Sequence, residues 1–260
     1  RYGQLALRFV PQGEMLGLGH AVSLGLDEGE GEVFIILGDT LFEADVAAIR
    51  ACPHSVLGVK EVADPRRFGV AELDQGRIVR LVEKPAEPRS NLALIGLYNI
   101  KDGEALRLTL KDMIEGDVKT RGEYQITDAL QRMIDAGHAF QPWGIDGWYD
   151  CGKKETLLET NRHYLGRLDS RREAVRVGDS IVIPPVHLGT GVQLSRSVVG
   201  PFVSVGEGAT LKDSVVEDSL ICEGARLEGV VLREAVLGRE ALVRQPPRAL
   251  HVSDNTEVDG

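Results

Sequence analysis

The chain has 260 residues, with 30 lysines and arginines against 40 aspartates and glutamates, a net charge of −10. That length buries a sizeable core and suits two domains. The acidic balance argues against a general binder of nucleic acid or of an anionic membrane, so any phosphate must be held by local cations or a metal.

Cys52, Cys151 and Cys222 form no CxxC pair, which indicates neither a zinc site nor a disulfide framework and favours a reducing cytoplasm. No run approaches the roughly 20 apolar residues of a membrane span, and no signal-peptide pattern opens the chain. In chain order, Leu7–Val10 reads as a short strand ending at Pro11. Gly17–Gly25 places Leu18, Ala21, Val22 and Leu24 on a helical stripe. Val33–Leu37 is a continuous apolar run of the kind buried on both faces of a parallel sheet, and it stops at Gly38-Asp39. Val56–Val59 is another strand, and Val70–Leu73 and Ile78–Val82 flank a hairpin turn at Asp74-Gln75-Gly76. Leu92–Ile100 is a further strand. Ile126, Leu130, Met133 and Ile134 mark one helix face; Leu157, Leu158, Asn161, Tyr164 and Leu165 mark another. Strands alternating with helices predict an α/β sheet over residues 1–168, with ligands at strand C-terminal ends.

Two aspartates bracket this pattern. Asp39 follows a buried strand, where a carboxylate suits Mg²⁺, although a cap of a turn or of the next helix is the stronger reading for it alone. Asp150, in Gly147-Trp148-Tyr149-Asp150-Cys151-Gly152, precedes the last helix and reads as a second metal ligand or as an N-cap. Glu83-Lys84-Pro85 ends a strand. The proline predicts an extended Lys84, with a point charge suited to a phosphate beside a glutamate suited to sugar hydroxyls. The competing reading is a solvated ion pair.

Beyond a charged stretch at Arg167–Glu173, apolar residues recur at Val182, Leu188, Leu194, Val199, Val205, Leu211, Val216, Ile221, Leu227, Leu232, Leu237 and Val243. The steps of six, six and five predict stacked three-sided coils, one inward residue per side. Gly189, Gly200, Gly206 and Gly238 follow inward positions, where a tight corner leaves no room for a side chain. Residues 169–260 thus resemble a left-handed parallel β-helix of hexapeptide repeats. About four coils fit, and His187 is the sole histidine inside the repeat. A structural or oligomerising role, compatible with a homo-oligomer and with regulation, is expected over acetyl transfer.

Taken together, the motifs resemble the sugar-1-phosphate nucleotidyltransferases, in the long form of glucose-1-phosphate thymidylyltransferase that carries a C-terminal β-helix. The likeness rests on Val10-Pro11-Gln12, Gly17-Leu18-Gly19-His20-Ala21, Leu37-Gly38-Asp39, Asp64–Val70, Glu83-Lys84-Pro85, Arg121–Asp128, Trp148–Gly152 and Pro246–Ala249. The resemblance implies a Rossmann-like nucleotidyltransferase sheet. It implies that Gln12 reads the base edge with the Gly17 backbone beside it, and that Asp39 and Asp150 ligate Mg²⁺. Gly69 and Glu83 would hold the sugar, and Lys84 its phosphate, with Arg121 a second contact. The implied reaction joins dTTP to glucose-1-phosphate, giving dTDP-glucose and pyrophosphate. Alternatives are UTP or another sugar phosphate, or a non-catalytic sugar-nucleotide-binding subunit.

Thr40, Gly19 and Cys151 depart from the usual asparagine, alanine and threonine, and none removes a metal ligand. His20, His54 and His138 read as packing residues. The family's glycine-rich phosphate loop has no counterpart in Arg1–Met15, so the chain reads as N-terminally incomplete. The 260 residues alone are expected to show little or no transferase activity. Robust sugar-nucleotide synthesis by the purified chain would overturn that expectation.

Overall fold

The computed structural model describes residues 6–168 and 173–245, and the chain divides into two units, Arg1–Trp148 and Tyr149–Gly260. The first unit runs α1 (Leu18–Gly25), β1 (Val33–Ile36), β2 (Thr40–Glu43), α2 (Val46–Ala51), β3 (Ser55–Glu61), β4 (Gly69–Asp74), β5 (Arg77–Glu83), β6 (Leu92–Ile100), α3 (Gly103–Glu115), α4 (Ile126–Asp135) and β7 (Phe140–Gly144). The next strand, β8 (Gly147–Asp150), straddles the division. Six strands form one sheet in the order β1-β6-β3-β7-β5-β4, and β4 also pairs with the start of β6.

Alternation along β6 sends its side chains to two cores. Leu94, Tyr98 and Ile100 meet Leu106, Leu110 and Met113 of α3 and Ile126, Leu130 and Met133 of α4. Ile95 and Leu97 meet Ile49 of α2 with Val56 and Ile145. The sheet is therefore covered on both faces, as expected of an α/β layer architecture.

Two local expectations need correction. Leu7–Val10 forms no strand; its residues are exposed, since an apolar run without a neighbouring strand has nothing to pair with. The strand over Val33–Ile36 is antiparallel to β6 and lies at an edge of the described sheet, with Ile36 51% exposed. The only parallel pair in the described sheet is β3 with β7. The tight β4–β5 hairpin, turning through Gln75 (φ 46°) and Gly76 (φ 78°), dictates antiparallel pairing there. The Pro246–Ala249 motif, His251 and Arg1–Gly3 lie outside the described residues.

In the second unit, α5 (Lys154–Leu168) precedes a three-sided parallel β-helix of about four coils, consistent with the left-handed hexapeptide type. The helix at Leu157–Leu165 thus groups with the coils, whereas the sequence reading ends the first domain at 168. The period of the sequence is the register of the coils. Val182, Val199, Val216 and Leu232 stack on one side. Leu188, Val205, Ile221 and Leu237 stack on the second, and Leu194, Leu211, Leu227 and Val243 on the third. Buried Ser180, Ser197 and Ser214 add a polar ladder: each hydroxyl accepts the amide N–H of the residue one coil on, at 3.1–3.3 Å.

The expected glycine corners divide into two kinds. A Cβ on Gly189 would lie 2.7 Å from Glu207 N, and one on Gly206 2.5 Å from Glu223 N; one on Gly200 would collide with the Ile183 carbonyl. Gly238 has nothing within 4 Å, because it lies in the last described coil. Gly206→Ala should therefore destabilise the β-helix by about 1–3 kcal/mol, whereas Gly238→Ala should stay within about 0.5 kcal/mol. Urea denaturation of both variants checks this, and equal midpoints would contradict the coil-spacing argument.

Candidate functional site

The β4–β5 hairpin pairs Gly69 with Glu83. That register places a residue without a side chain opposite a carboxylate at the end of a strand. A Cβ at Gly69 would lie 2.9 Å from Thr127 Oγ1, 3.0 Å from Leu94 Cδ1 and 3.2 Å from Glu83 Oε2. The space is therefore shaped by the missing Cβ. Thr127, in the first turn of α4, donates to Glu83 Oε2 at 2.7 Å. The Glu83 side chain is only 8% exposed, and its Oε1 lies 3.5 Å from Lys84 Nζ.

Lys84 is not extended. Its φ is +42°, in the left-handed region, although proline follows it. Two hydrogen bonds hold it there. Its N–H donates to the Phe68 carbonyl at 3.0 Å, prolonging the hairpin ladder. Its carbonyl accepts from Arg121 Nη2 at 2.6 Å. Arg121 also has positive φ, +55°, in the turn closed by Thr120 and Glu123. Gly69, Glu83, Lys84 and Arg121 therefore meet in one place. Sequence reasoning assigned no role to Thr127, although it lies inside the Arg121–Asp128 motif. Tyr98, likewise without an assigned role, is buried beneath; burial, with the nearby Glu83 charge, pushes its phenol pKa well up, so it stays protonated.

A second cluster forms at the start of α1. Gly17 (φ +103°) and Gly19 pack against the Glu123–Tyr124 backbone, where a Cβ on either would lie 2.7–2.8 Å from its nearest neighbour. Gly19 N donates to the Tyr124 carbonyl at 2.7 Å, so the departure at Gly19 has a steric reason. Gln12 Nε2 donates to the Gly17 carbonyl at 3.1 Å and lies 3.0 Å from His20 Nδ1. His20, expected to be a packing residue, lies with its ring 6.4 Å from that of Tyr124 and also meets Gln12.

Asp39 stands in the turn between β1 and β2, is exposed, and makes no side-chain hydrogen bond to a described residue. Leu37 before it is anchored by its N–H to the Gly96 carbonyl, and its side chain packs where a Cβ on Gly96 would sit. Asp150 belongs to the second unit; its Oδ1 accepts from Gly152 N at 2.9 Å. Among the described residues no three His, Cys, Asp or Glu side chains gather into a metal cluster. No described helix is long and apolar enough to cross a membrane.

The nucleotidyl transferase family profile matches residues 4–167. The chain belongs to the nucleotidyl transferase family. It is 36% identical to a glucose-1-phosphate thymidylyltransferase of Streptomyces griseus, over 97% of this chain and 77% of that protein. It is 32% identical to the low-salt glycan biosynthesis nucleotidyltransferase Agl11 of Haloferax volcanii, over 99% of this chain and 80% of that one. Among solved structures it resembles a UDP-glucose pyrophosphorylase in complex with UDP-glucose, at 28% identity and a TM-score of 0.52. That match covers 62% of this nucleotidyl transferase and 66%, just under two thirds, of the solved chain.

The left-handed backbone at position 84 costs an ordinary residue about 1–2 kcal/mol. Lys84→Gly is therefore expected not to lower the unfolding free energy, whereas Arg121→Ala, which strips the Lys84 carbonyl of its donor, should lower it by about 1 kcal/mol. Urea titration compares the two, and a destabilising Lys84→Gly would show that the lysine stem packs more than it strains.

Proposed function

We propose that the site serves nucleotidyl transfer from a nucleoside triphosphate to a sugar-1-phosphate, and that the preferred pair is dTTP and glucose-1-phosphate. The observation that carries this reading is the meeting of Gly69, Glu83, Lys84 and Arg121 at one strand end. A relative named glucose-1-phosphate thymidylyltransferase supports the choice of substrates.

In this reading Glu83, held by Thr127, accepts from two sugar hydroxyls, and the ring lies against the Gly69 backbone. The Lys84 ammonium meets the sugar phosphate as a point charge, with Arg121 behind it. A phosphate oxygen of the sugar attacks the nucleotide α-phosphorus in line. The new P–O bond forms as the bond to pyrophosphate breaks, and no protein nucleophile is needed. The chain's task is to align two anions and neutralise their charge. Asp39 and Asp150 are the proposed Mg²⁺ ligands. Both offer hard carboxylate oxygens, the donor type Mg²⁺ takes, and Asp39 is exposed without a described side-chain partner. A bound Mg²⁺ supplies charge neutralisation at the phosphates.

Gln12 bears on the base. Its Nε2 hydrogens are engaged by the Gly17 carbonyl and His20 Nδ1. Oε1 remains, and an acceptor matches a ring N–H, which thymine, uracil and guanine carry and adenine and cytosine lack. UTP is the second reading, favoured by the likeness to a UDP-glucose pyrophosphorylase.

The test follows pyrophosphate release by the full-length gene product from glucose-1-phosphate and Mg²⁺ with each of dTTP, UTP, ATP, CTP and GTP. Fastest release with dTTP is expected. Lys84→Met should lower kcat/KM by about 100-fold and Thr127→Val by roughly tenfold. Faster release with UTP would replace the base assignment. No release with any nucleotide and several sugar phosphates would move the reading to a non-catalytic binding subunit.

A further inference from the structure

We propose that the β-helix is a positioning platform for Asp150, acting through the two faces of α5. The proposal rests on the reading of Asp150 as a functional carboxylate, and every contact it uses lies within the second unit.

One face of α5 is locked to the coils. Leu158 and Leu165 are buried, and Asn161 and Arg162 complete the same stripe at helical spacing. Asn161 Nδ2 donates to the Phe202 carbonyl at 3.2 Å, and its Oδ1 accepts from Ser204 Oγ at 2.6 Å. Arg162 grips Asp218 with both arms of its guanidinium, Nε to Oδ1 at 2.6 Å and Nη2 to Oδ2. Asp218 is buried at a coil corner with φ +45°, its N–H bonded to the Pro201 carbonyl one coil below. Glu234, one coil above, adds a contact at 3.9 Å. A fork-shaped pair of this kind fixes direction as well as distance.

The other face holds the segment that carries Asp150. Tyr149 OH and His163 Nε2 lie 2.6 Å apart, and the Tyr149 ring packs on His163 and Tyr164. Arg167 Nη1 lies 3.3 Å from the same His163 nitrogen. Thr160, itself tied to the Thr156 carbonyl, meets Cys151 Sγ at 3.8 Å. Residues 149 and 151, on either side of Asp150, are thus seated on a helix whose opposite face is bolted to the coils. Arg162, Asn161 and His163 are positioning residues for Asp150.

The full-length protein tests this through a readout that needs no turnover, the alkylation rate of Cys151 followed peptide by peptide. Asp218→Asn and the milder Ser204→Ala are made, with far-UV circular dichroism to show that the coils remain folded. Faster Cys151 alkylation, by about fivefold or more in Asp218→Asn, is expected, together with roughly tenfold weaker Mn²⁺ binding by paramagnetic resonance in the presence of nucleotide. Unchanged alkylation in both folded variants overturns the platform. If Asp218→Asn does not fold, Ser204→Ala and His163→Phe decide by the same alkylation rate. Unaltered Mn²⁺ binding in Asp150→Asn would instead overturn the metal role of Asp150, while the alkylation result still judges the platform.

Discussion

The candidate sugar site depends on the register of one hairpin. Pairing Gly69 with Glu83 sets a gap beside a carboxylate, and the strand end delivers Lys84 next to both. Strand side chains alternate in direction, so a slip of one residue would turn Glu83 to the other face and bring Val70 to the gap. The turn at Gln75-Gly76 starts the pairing at Asp74 with Arg77, and a one-residue shift between Glu72 and Leu73 then brings Gly69 opposite Glu83. Thr127 makes the arrangement a site rather than a sheet edge: a buried carboxylate needs a donor, and α4 supplies one from its first turn.

The β-helix was legible from the sequence almost position by position. All twelve inward residues read from the apolar period stack in the expected ladders, because one-dimensional stacking makes sequence period and spatial register the same quantity. The corners were less legible. Gly191, Gly208, Gly224 and Glu240 form one left-handed ladder, and Arg196, Asp213 and Gly229 another. Glycine announces such positions, but arginine, aspartate and glutamate do not. The coil below sets their backbone, as when Glu240 N–H bonds the Glu223 carbonyl.

In the first unit, hairpin, long central strand and motif order were legible, since each has a local signature. The helix α3 was missed although its signals were present: Asp102 caps it through Ala105 N, and Leu106, Leu110 and Met113 recur at helical spacing. Leu7–Val10 misled because an apolar run says nothing about whether a neighbour exists to pair with. The roles of Thr127 and His20 depend on contacts 44 and 8 residues away, with Glu83 and Gln12, and no short pattern encodes either.

Lys84 shows most plainly where local rules yield. The residue before a proline is expected in an extended conformation, yet it adopts φ +42°. The same conformation recurs at coil corners, where hydrogen bonds from the neighbouring coil stabilise it. At Lys84 the compensating partner is Arg121, itself at φ +55°, whose guanidinium holds the Lys84 carbonyl. Two residues in a costly backbone state thus support one another beside a nearly buried carboxylate. Both are cations, so the arrangement that offsets the strain also concentrates positive charge where a phosphate would be received.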